Sequence, residues 1–328
     1  MLPARAGCYP PRVQTLALHD GTTLPALGLG TWLSEKDRVY EAVREALKIG
    51  YRHVDAAWIY QNEEEVGRGI RDAIVAGDVV REDLWVTTKL WNDMHAPADV
   101  LPALESSLRN LGLDYVDLYL VHWPVAHPKG VMRPDSGAEF LSLKDRPLEA
   151  TWEAMTQLPN TGKARHVGVS NFSVRKVDLI TEAVGLQPAA NQVELHPYNA
   201  QSDLVGAMTQ RRVVVTAYSP LGSSGRPDSM RRDEERRLLD DPAVATVAQT
   251  LGCTPAQVLI AWALARGTAV IPKSTNPARI AQNLAAARIE LTDEQKQQLS
   301  ALDRQERYVT GAFWCPEGSP YSLETLWD

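Results

Sequence analysis

Short apolar runs alternate with longer segments of helical periodicity along most of the chain. Eight such runs, rich in Val, Ile and Leu, each precede a helix-compatible segment, at residues 27–31, 53–57, 85–90, 116–122, 166–171, 191–195, 213–219 and 269–272. Repeated strand–helix units are typical of a parallel sheet, and eight of them close a barrel. The pattern therefore predicts an α/β protein with a (β/α)8 TIM barrel.

The helical segments carry apolar residues every three or four positions, most clearly at 39–47, 100–111 and 174–184. Two later helices have the start signals of a capping residue followed by proline, at Thr254-Pro255 and Asn276-Pro277. These patterns predict helices that pack on the outside of the barrel.

A β-hairpin is predicted before the first strand–helix unit. Residues 13–27 alternate between apolar and polar on both sides of Asp20-Gly21. This dipeptide favours a type I′ turn, which joins two antiparallel strands through two residues.

Three irregular segments interrupt the pattern: 124–147, 220–242 and the tail after Asp303. The first two follow predicted strands four and seven, where barrels carry their substrate loops. No linker or composition shift divides the chain. We therefore predict one domain over residues 1–328, in which residues 1–12 form a flexible extension and residues 304–328 a carboxy-terminal substrate loop.

Composition narrows the class of protein. A net charge of -7, with Lys and Arg scattered along the sequence, argues against a nucleic-acid partner. Cys8, Cys253 and Cys315 are too far apart in sequence for a metal-ligand motif and suit a reducing compartment. No signal-peptide pattern or membrane-length apolar run is present. We expect a cytoplasmic protein without a metal or a membrane partner.

Four ionisable residues fall at or just beyond the ends of neighbouring predicted strands: Asp55, Tyr60, Lys89 and His122. Side chains at the carboxyl ends of barrel strands meet over one mouth. A nearby Lys89 ammonium would lower the pKa of Tyr60 and ease proton donation, and Asp55 would keep that lysine charged. His122 would orient a carbonyl oxygen. Each residue alone has an ordinary structural explanation, so the prediction rests on the combination.

A second group of residues predicts an anion site late in the chain. Lys273 and Ser274 end the eighth predicted strand, and Arg279 lies in the following helix. An Arg fork with a Lys charge suits a ribose monophosphate, which favours NADPH over NADH. A solvated cationic helix start is the structural alternative, but the helix dipole disfavours cations there. The small-residue loop 219–224 is suited to pass close to a pyrophosphate.

Aromatic residues cluster near the predicted strand ends, which indicates an apolar pocket for a carbonyl compound. The substrate-binding residues that we expect there are Trp32, Trp58, Tyr60, Trp91, His122, Trp123 and Trp314.

Four motifs together closely resemble the signatures of the aldo-keto reductases. They are Gly50-Tyr-Arg-His-Val-Asp-Ala-Ala-Trp-Ile-Tyr-Gln-Asn-Glu-Glu-Glu-Val-Gly, Leu118-Tyr-Leu-Val-His-Trp-Pro, Gly168-Val-Ser-Asn-Phe and Ile271-Pro-Lys-Ser. The similarity runs from about Val13 to Asp328, and the tail from Gly318 looks like that of plant-type members with broad carbonyl substrates.

The resemblance implies Asp55, Tyr60, Lys89 and His122 as the catalytic tetrad, with Tyr60 giving the proton and NADPH the hydride. It also implies that Ser170, Asn171 and Gln192 hold the carboxamide and that Tyr218 stacks on the nicotinamide. The remaining expected cofactor residues are Ser219, Leu221 and Ser223 at the pyrophosphate, Lys273, Ser274, Asn276 and Arg279 at the 2′-phosphate, Gln282 and Asn283 at adenine, and Gly30, Thr31, Trp32 and Asp55 near the first two strands.

Two positions depart from the resemblance. Gln282 stands where many relatives have Glu, and its amide can still hydrogen-bond adenine. The segment from Pro159 to Gly162 replaces a commonly helical segment, so the end of the fourth helix is an open question.

The sequence leaves two alternatives. A barrel glycoside hydrolase would use two carboxylates, such as Asp55 and Glu194, but this leaves Lys89, Tyr60 and the anion site unexplained. A catalytically weak, NADPH-binding regulatory subunit is compatible with the fold. We expect an NADPH-dependent reductase of aldehydes or ketones, acting as a monomer on a small molecule, with aldoses and sugar acids open as substrates.

Overall fold

The computed structural model describes residues 13–223, 225–232 and 235–328. The predicted amino-terminal extension, with Cys8, lies outside these residues. The single-domain assignment for residues 1–328 stays a prediction.

Eight parallel strands form the predicted barrel. They are β3 (Leu29–Gly30), β4 (His53–Asp55), β5 (Trp85–Leu90), β6 (Val116–Val121), β7 (Ala164–Ser170), β8 (Ala190–Glu194), β9 (Val214–Tyr218) and β10 (Ala269–Val270). Parallel bridges from Leu27 to Val270 and from Gly30 to Lys273 join the first strand to the last. The α/β barrel is therefore confirmed.

Helices surround the strands, and the last helix lies in the carboxy-terminal tail beside the aromatic side chains of the mouth. The helices are α1 (Lys36–Ile49), α2 (Glu63–Val75), α3 (Pro97–Leu111), α4 (Leu148–Thr156), α5 (Val174–Val184), α6 (Ser202–Gln210), α7 (Pro242–Leu251), α8 (Pro255–Ala265), α9 (Pro277–Ala285), α10 (Asp293–Ser300) and α11 (Leu323–Trp327). All residues of β5, β6 and β8 are buried, as expected for strands covered on both faces.

The predicted helix starts are confirmed in atomic detail. Thr254 and Gln257 form a capping box at α8, with each side chain bonded to the backbone N–H of the other. The Asn276 side chain accepts the N–H of Arg279 at 3.1 Å and caps α9. The fourth helix ends at Thr156, and a 3-10 turn over Leu158–Thr161 follows it.

The amino-terminal hairpin is confirmed, but its predicted two-residue turn is wrong. Strands β1 (Thr15–Ala17) and β2 (Thr23–Pro25) pair antiparallel, and Leu18 N–H donates to the Thr22 carbonyl at 2.8 Å. Three residues therefore form the connection, of which Gly21 alone has a positive φ, at 87°. The Asp20 carboxylate accepts bonds from Thr22 and so stabilises this longer turn.

The hairpin closes the amino end of the barrel. Leu18 and Leu24 pack against apolar side chains of the barrel interior, including Leu118 and Leu120. Apolar side chains thus fill the barrel interior at its amino end, and a site is expected at the opposite face, where the strands end.

The three irregular segments lie at the expected positions in the chain order. The tail is more ordered than predicted, since it contains a 3-10 turn over Ala312–Trp314 and ends in α11.

No single helix in the described ranges has the length and apolarity of a membrane span; the bent pair of α7 and α8 passes that test on length and composition only. The described residues also contain no His, Cys, Asp or Glu group suited to a metal ion.

Candidate active site

A buried ion pair lies at the centre of the barrel mouth. The Lys89 ammonium donates to Asp55 Oδ1 at 2.6 Å and to the Ala56 carbonyl at 2.8 Å, and the Gln192 amide donates to Asp55 Oδ2 at 2.7 Å. These residues come from β4, β5 and β8, and Asp55 and Lys89 are at most 2% exposed. Residues far apart in sequence therefore meet where the strand order predicts.

The charge of Lys89 depends on this pairing. Burial lowers the pKa of Lys89, and the Asp55 carboxylate opposes the shift. A second carboxylate, Glu63 at the start of α2, contributes to the same opposition. The predicted role of Asp55 in holding Lys89 charged agrees with this electrostatic balance.

Tyr60 and His122 stand beside the ion pair. Their ring centroids are 5.9 Å apart in an edge-to-face arrangement, and the Lys89 ammonium lies 5.2 Å from the Tyr60 ring centroid. The Tyr60 hydroxyl makes no hydrogen bond to any residue in the described ranges. The four predicted residues thus form one cluster in which this hydroxyl is available to a ligand.

The predicted direction of the Tyr60 pKa is wrong for this structure. Burial raises the pKa of Tyr60 well above its ordinary value of 10, and the nearby Asp55 carboxylate raises it further. Lys89 does not lower this pKa: burial disfavours the phenolate, and the ammonium is paired with the Asp55 carboxylate, which repels a phenolate. Tyr60 is therefore a fully protonated phenol at neutral pH.

His122 is held neutral by its surroundings. Burial lowers its pKa well below 6.5, and the positive charge of Lys89 lowers it further. Its Nδ1 is buried without a hydrogen-bond partner among the described residues. The edge of Trp91 packs on the ring, with centroids 5.1 Å apart. A neutral imidazole can donate one hydrogen bond to a carbonyl oxygen.

A hydrogen-bond network connects the neighbouring strand ends. Asn171, in a left-handed conformation with φ 65°, donates to the His122 carbonyl at 2.9 Å and accepts the Tyr218 hydroxyl at 2.8 Å. The Ser170 hydroxyl donates to the Gln192 carbonyl at 2.8 Å. The predicted carboxamide and stacking residues therefore lie together beside the tetrad.

The first strand borders the same site. Thr31 is buried and its hydroxyl donates to the Asp55 carbonyl at 2.8 Å. Gly30 has a packing requirement of its own, because a Cβ there would lie 2.7 Å from the Ile271 carbonyl oxygen. Trp32 is half-buried.

The segment after β9 turns sharply. Ser219, Gly222 and Ser223 all have positive φ, at 49°, 82° and 47°, and Gly222 N–H donates to the Ser219 carbonyl. Leu221 is half-buried between them. Such a turn directs successive N–H groups toward one side, as anion-binding loops do.

The predicted phosphate group of residues lies at the start of α9. Lys273 donates to the Leu33 carbonyl at 3.1 Å, and partial burial lowers its pKa against the opposing charge of Glu35. Arg279 is exposed and makes no ion pair within the described part of the chain. Ser274 accepts the Asn276 N–H at 3.2 Å, Gln282 is exposed and Asn283 is buried.

Aromatic side chains form a wall beside His122. Trp91, Trp123 and Trp314 are each about 5–6% exposed, and the Trp314 ring centroid lies 5.8 Å from Trp91 and 5.7 Å from Trp123. Trp58 packs against the same group. Tyr60 and His122 contact this wall through the Tyr60–His122 and His122–Trp91 ring pairs, whereas Trp32 is in none of the aromatic contacts of the described residues.

Comparison with known proteins identifies the family. Residues 26–304 match the family described as "Aldo/keto reductase family". An aldo/keto reductase of Synechocystis sp. is 50% identical over 311 residues, which cover 95% of each chain. Aldo-keto reductase family 1 member A1 of Gallus gallus is 43% identical over 316 residues, 93% of this chain and 91% of that protein. The chain belongs to the aldo/keto reductase family.

The family confirms the resemblance inferred from the motifs. The human protein that is also named aldo-keto reductase family 1 member A1 is 42% identical over 294 residues, covering 89% of this chain and 90% of its own. Aldo/keto reductases are oxidoreductases, so the class of enzyme and reaction on carbonyl compounds are supported.

The structure argues against a glycoside hydrolase, because Glu194, the second carboxylate of that alternative, is engaged by the fold. Glu194 is 1% exposed, and its two oxygens accept the backbone N–H groups of Tyr308 and Val309 at 2.6 and 2.8 Å. His196 Nε2 also lies 2.8 Å from Oε1. A carboxylate with both oxygens engaged by the fold is not placed to attack or protonate a sugar.

Sequence reasoning missed two buried carboxylates near the site. The sequence suggests Glu194 only as a glycosidase carboxylate and suggests no role for Glu63. Glu63 bonds Thr88 at 2.6 Å and Asn110 at 3.0 Å, and burial raises its pKa. The Glu63–Glu65 triplet is typical of a solvated helix start, so the sequence carries no signal that its first residue is buried.

A cavity of about 730 Å³ lies at the opposite end of the barrel, below the hairpin. The two buried ionisable residues of its lining are engaged in the fold: Asp117 pairs with Arg81 and Arg165, and His166 bonds Asp20. Residues at the amino end of a barrel generally serve stability. We therefore place the site at the tetrad rather than at this cavity.

Proposed function

We propose that this aldo/keto reductase reduces aldehydes or ketones to alcohols with NADPH, and that Tyr60 donates the proton. The proposal is carried by one cluster: the buried Asp55–Lys89 pair, a neutral His122, and a Tyr60 hydroxyl that has no hydrogen-bond partner among the described residues. Its substrates are small-molecule carbonyl compounds. The monomeric state and the cytoplasmic location stay predictions from the sequence.

The residues around the mouth suit a phosphorylated dinucleotide. At one end, Arg279 offers a guanidinium with no ion pair among the described residues, and Lys273 offers a partly desolvated ammonium. The turn at Ser219–Ser223 offers backbone N–H groups, and Tyr218 lies between this turn and Asn171. Cationic groups at a helix start are mismatched with the helix dipole unless they meet an anion. These features support NADPH at this position.

Within that arrangement, the carboxamide end would lie by Ser170, Asn171 and Gln192. Adenine would lie by Gln282 and Asn283, and the 2′-phosphate by Lys273, Ser274, Asn276 and Arg279. The amides near Leu221 and Ser223 would meet the pyrophosphate. Gly30, Thr31 and Trp32 would border the cofactor from the first strand.

The chain's own residues would orient the carbonyl group and supply the proton of the reaction. Bound NADPH would supply the hydride to the carbonyl carbon. His122 holds the carbonyl oxygen by a hydrogen bond from its neutral ring, and the Tyr60 hydroxyl gives its proton to that oxygen as negative charge develops there. Lys89 neutralises the Asp55 carboxylate, which would otherwise repel the phenolate more strongly, and the phenolate is then reprotonated from solvent.

The site wall favours apolar substrates. Trp58, Trp91, Trp123 and Trp314 present large apolar faces, and hydrophobic burial stabilises an aromatic or aliphatic aldehyde there. Aldoses and sugar acids are also candidate substrates and belong in the same assay.

The direct test follows NADPH oxidation by its near-ultraviolet absorbance against a panel of aldehydes, ketones, aldoses and sugar acids, with NADH in parallel. Turnover with NADPH supports the reductase. Tight NADPH binding with no turnover on any carbonyl compound would instead support a regulatory subunit.

Replacing Arg279 by Ala is expected to weaken NADPH binding by about 10- to 100-fold and to leave NADH binding nearly unchanged, because only NADPH carries the 2′-phosphate. Quenching of tryptophan fluorescence measures both dissociation constants. The matched control is Arg288→Ala, another exposed arginine shortly after α9. Equal losses for NADPH and NADH would remove Arg279 from the phosphate site.

The rate of reduction is expected to be independent of pH between about pH 6.5 and about pH 9. The raised pKa of Tyr60 keeps its phenol protonated through this range, and the lowered pKa of His122 keeps its ring neutral. The measurement is kcat/KM for one aldehyde across the range. A midpoint near pH 6.5 would show that His122 must be charged, contrary to its burial.

A further inference from the structure

Tyr308 connects two segments that border the site from different sides. It lies at the start of the carboxy-terminal tail, and its side chain is 1% exposed. Its hydroxyl accepts the Leu238 N–H at 3.2 Å and donates to the Arg236 carbonyl at 2.9 Å. One phenol thus satisfies two backbone groups of the segment between β9 and α7.

The beginning of the same segment also packs against the Tyr308 ring. The Arg226 guanidinium lies 5.1 Å from the ring centroid and donates to the Ser223 carbonyl at 3.1 Å. A Cβ on Gly222 would lie 3.2 Å from the ring. The sharp turn proposed for the pyrophosphate therefore packs directly against the tail.

Glu194 fixes the backbone of Tyr308 to the barrel. Its carboxylate accepts the N–H groups of Tyr308 and Val309 and contacts His196. Burial alone would raise the pKa of Glu194, but these hydrogen bonds outweigh it, and the pKa lies below the ordinary value. Gln192, which bonds Asp55, is two residues earlier on β8 and shares its face.

The tail then continues into the aromatic wall. Val309 and Trp314 belong to the cluster around Trp91, and the Trp327 indole donates to the Thr310 carbonyl at 2.8 Å. A shift of the tail at Tyr308 would therefore be transmitted to residues that surround the substrate.

We propose that Tyr308 and Glu194 are positioning residues that couple the two binding sites, so that occupancy of the cofactor site orders the tail and thereby the substrate pocket. The coupling rests on the proposed function, since it requires a dinucleotide at the turn of residues 219–223. It is reciprocal: a ligand that orders the tail also tightens dinucleotide binding.

Tyr321 offers a matched control on the same tail. Its hydroxyl accepts the Ala126 N–H at 2.9 Å and donates to the Leu141 carbonyl at 2.7 Å. It makes the same kind of two-backbone bridge, but to the segment after β6. Tyr321→Phe and Tyr308→Phe therefore remove equivalent hydroxyls that differ in which segment they hold.

The experiment is hydrogen exchange of the full chain, with and without saturating NADP+, read in peptides covering residues 235–241 and 304–328. In the unchanged protein and in Tyr321→Phe, NADP+ is expected to slow exchange in both segments by at least about threefold. In Tyr308→Phe the slowing in residues 304–328 should be lost, and the dissociation constant for NADP+ should rise by about tenfold. Glu194→Gln should also lose the tail response.

The outcomes separate the two proposals. Equal slowing of the tail in Tyr308→Phe and the unchanged protein overturns the coupling while leaving the proposed function intact. Slowing confined to residues 235–241 in the unchanged protein does the same. Failure of the unchanged protein to bind NADP+ overturns the proposed function itself, and the coupling with it.

Discussion

Tyr60→Phe is expected to lower the turnover of carbonyl compounds by about 10²- to 10⁴-fold, the usual contribution of a positioned general acid. The substitution removes one hydroxyl, which has no hydrogen-bond partner among the described residues, and keeps the ring that packs beside His122. NADPH affinity and stability should therefore stay close to those of the unchanged protein. Steady-state kinetics and fluorescence titration measure the two quantities separately.

Tyr40→Phe is the matched control for this prediction. The Tyr40 hydroxyl bonds Asp72 on the outer helices, at 2.7 Å, so its loss should leave turnover within about twofold. Retained turnover in Tyr60→Phe would refute the proton donor. A loss of NADPH binding in that variant would show that the hydroxyl serves the cofactor instead.

Lys89→Met is expected to lower the free energy of unfolding by about 3–5 kcal/mol, because it leaves the Asp55 carboxylate buried without its counter-charge. The methionine side chain has a similar length, so lost packing contributes little. Urea unfolding at neutral pH measures the change. Turnover should fall as well, since the phenolate of Tyr60 would form beside an uncompensated carboxylate.

The double variant Asp55→Asn with Lys89→Met provides the control for the charge. Replacing both charges removes the unpaired ion, so most of the lost stability should return while activity stays low. Lys48→Met, at the exposed end of α1, should change stability by less than about 0.5 kcal/mol. If Lys89→Met is as stable as the unchanged protein, Lys89 is not needed to compensate the buried Asp55 charge.

The barrel and the four clustered residues could be predicted from sequence because both depend on local patterns. Each buried strand is a short apolar run, and each strand end is marked by the change to polar residues. In a parallel barrel all carboxyl ends meet at one face, so Asp55, Lys89 and His122 could be placed together without coordinates. The helix starts at Pro255 and Pro277 were likewise local.

Other features depended on long-range contacts. The turn at Asp20-Gly21 differs from the predicted one: besides its local bond to Thr22, the Asp20 carboxylate contacts His166, which is distant in sequence. The tail was expected to be irregular, yet Glu194 holds its start and Lys176 bonds the carboxylate of Asp328 at its end. No short sequence pattern indicates that Glu194 and Lys176 would bind the tail.

The sequence by itself determined the family, the barrel, the strand order and the residues that gather at its mouth. The tertiary structure decided their electrostatics. The pKa of Tyr60 depends on the burial of its ring and on the nearby Asp55 carboxylate, both of which raise it, and residue types alone predicted the opposite direction. It also decided that Glu194 serves the tail rather than a substrate, because burial and hydrogen-bond partners are properties of the folded chain.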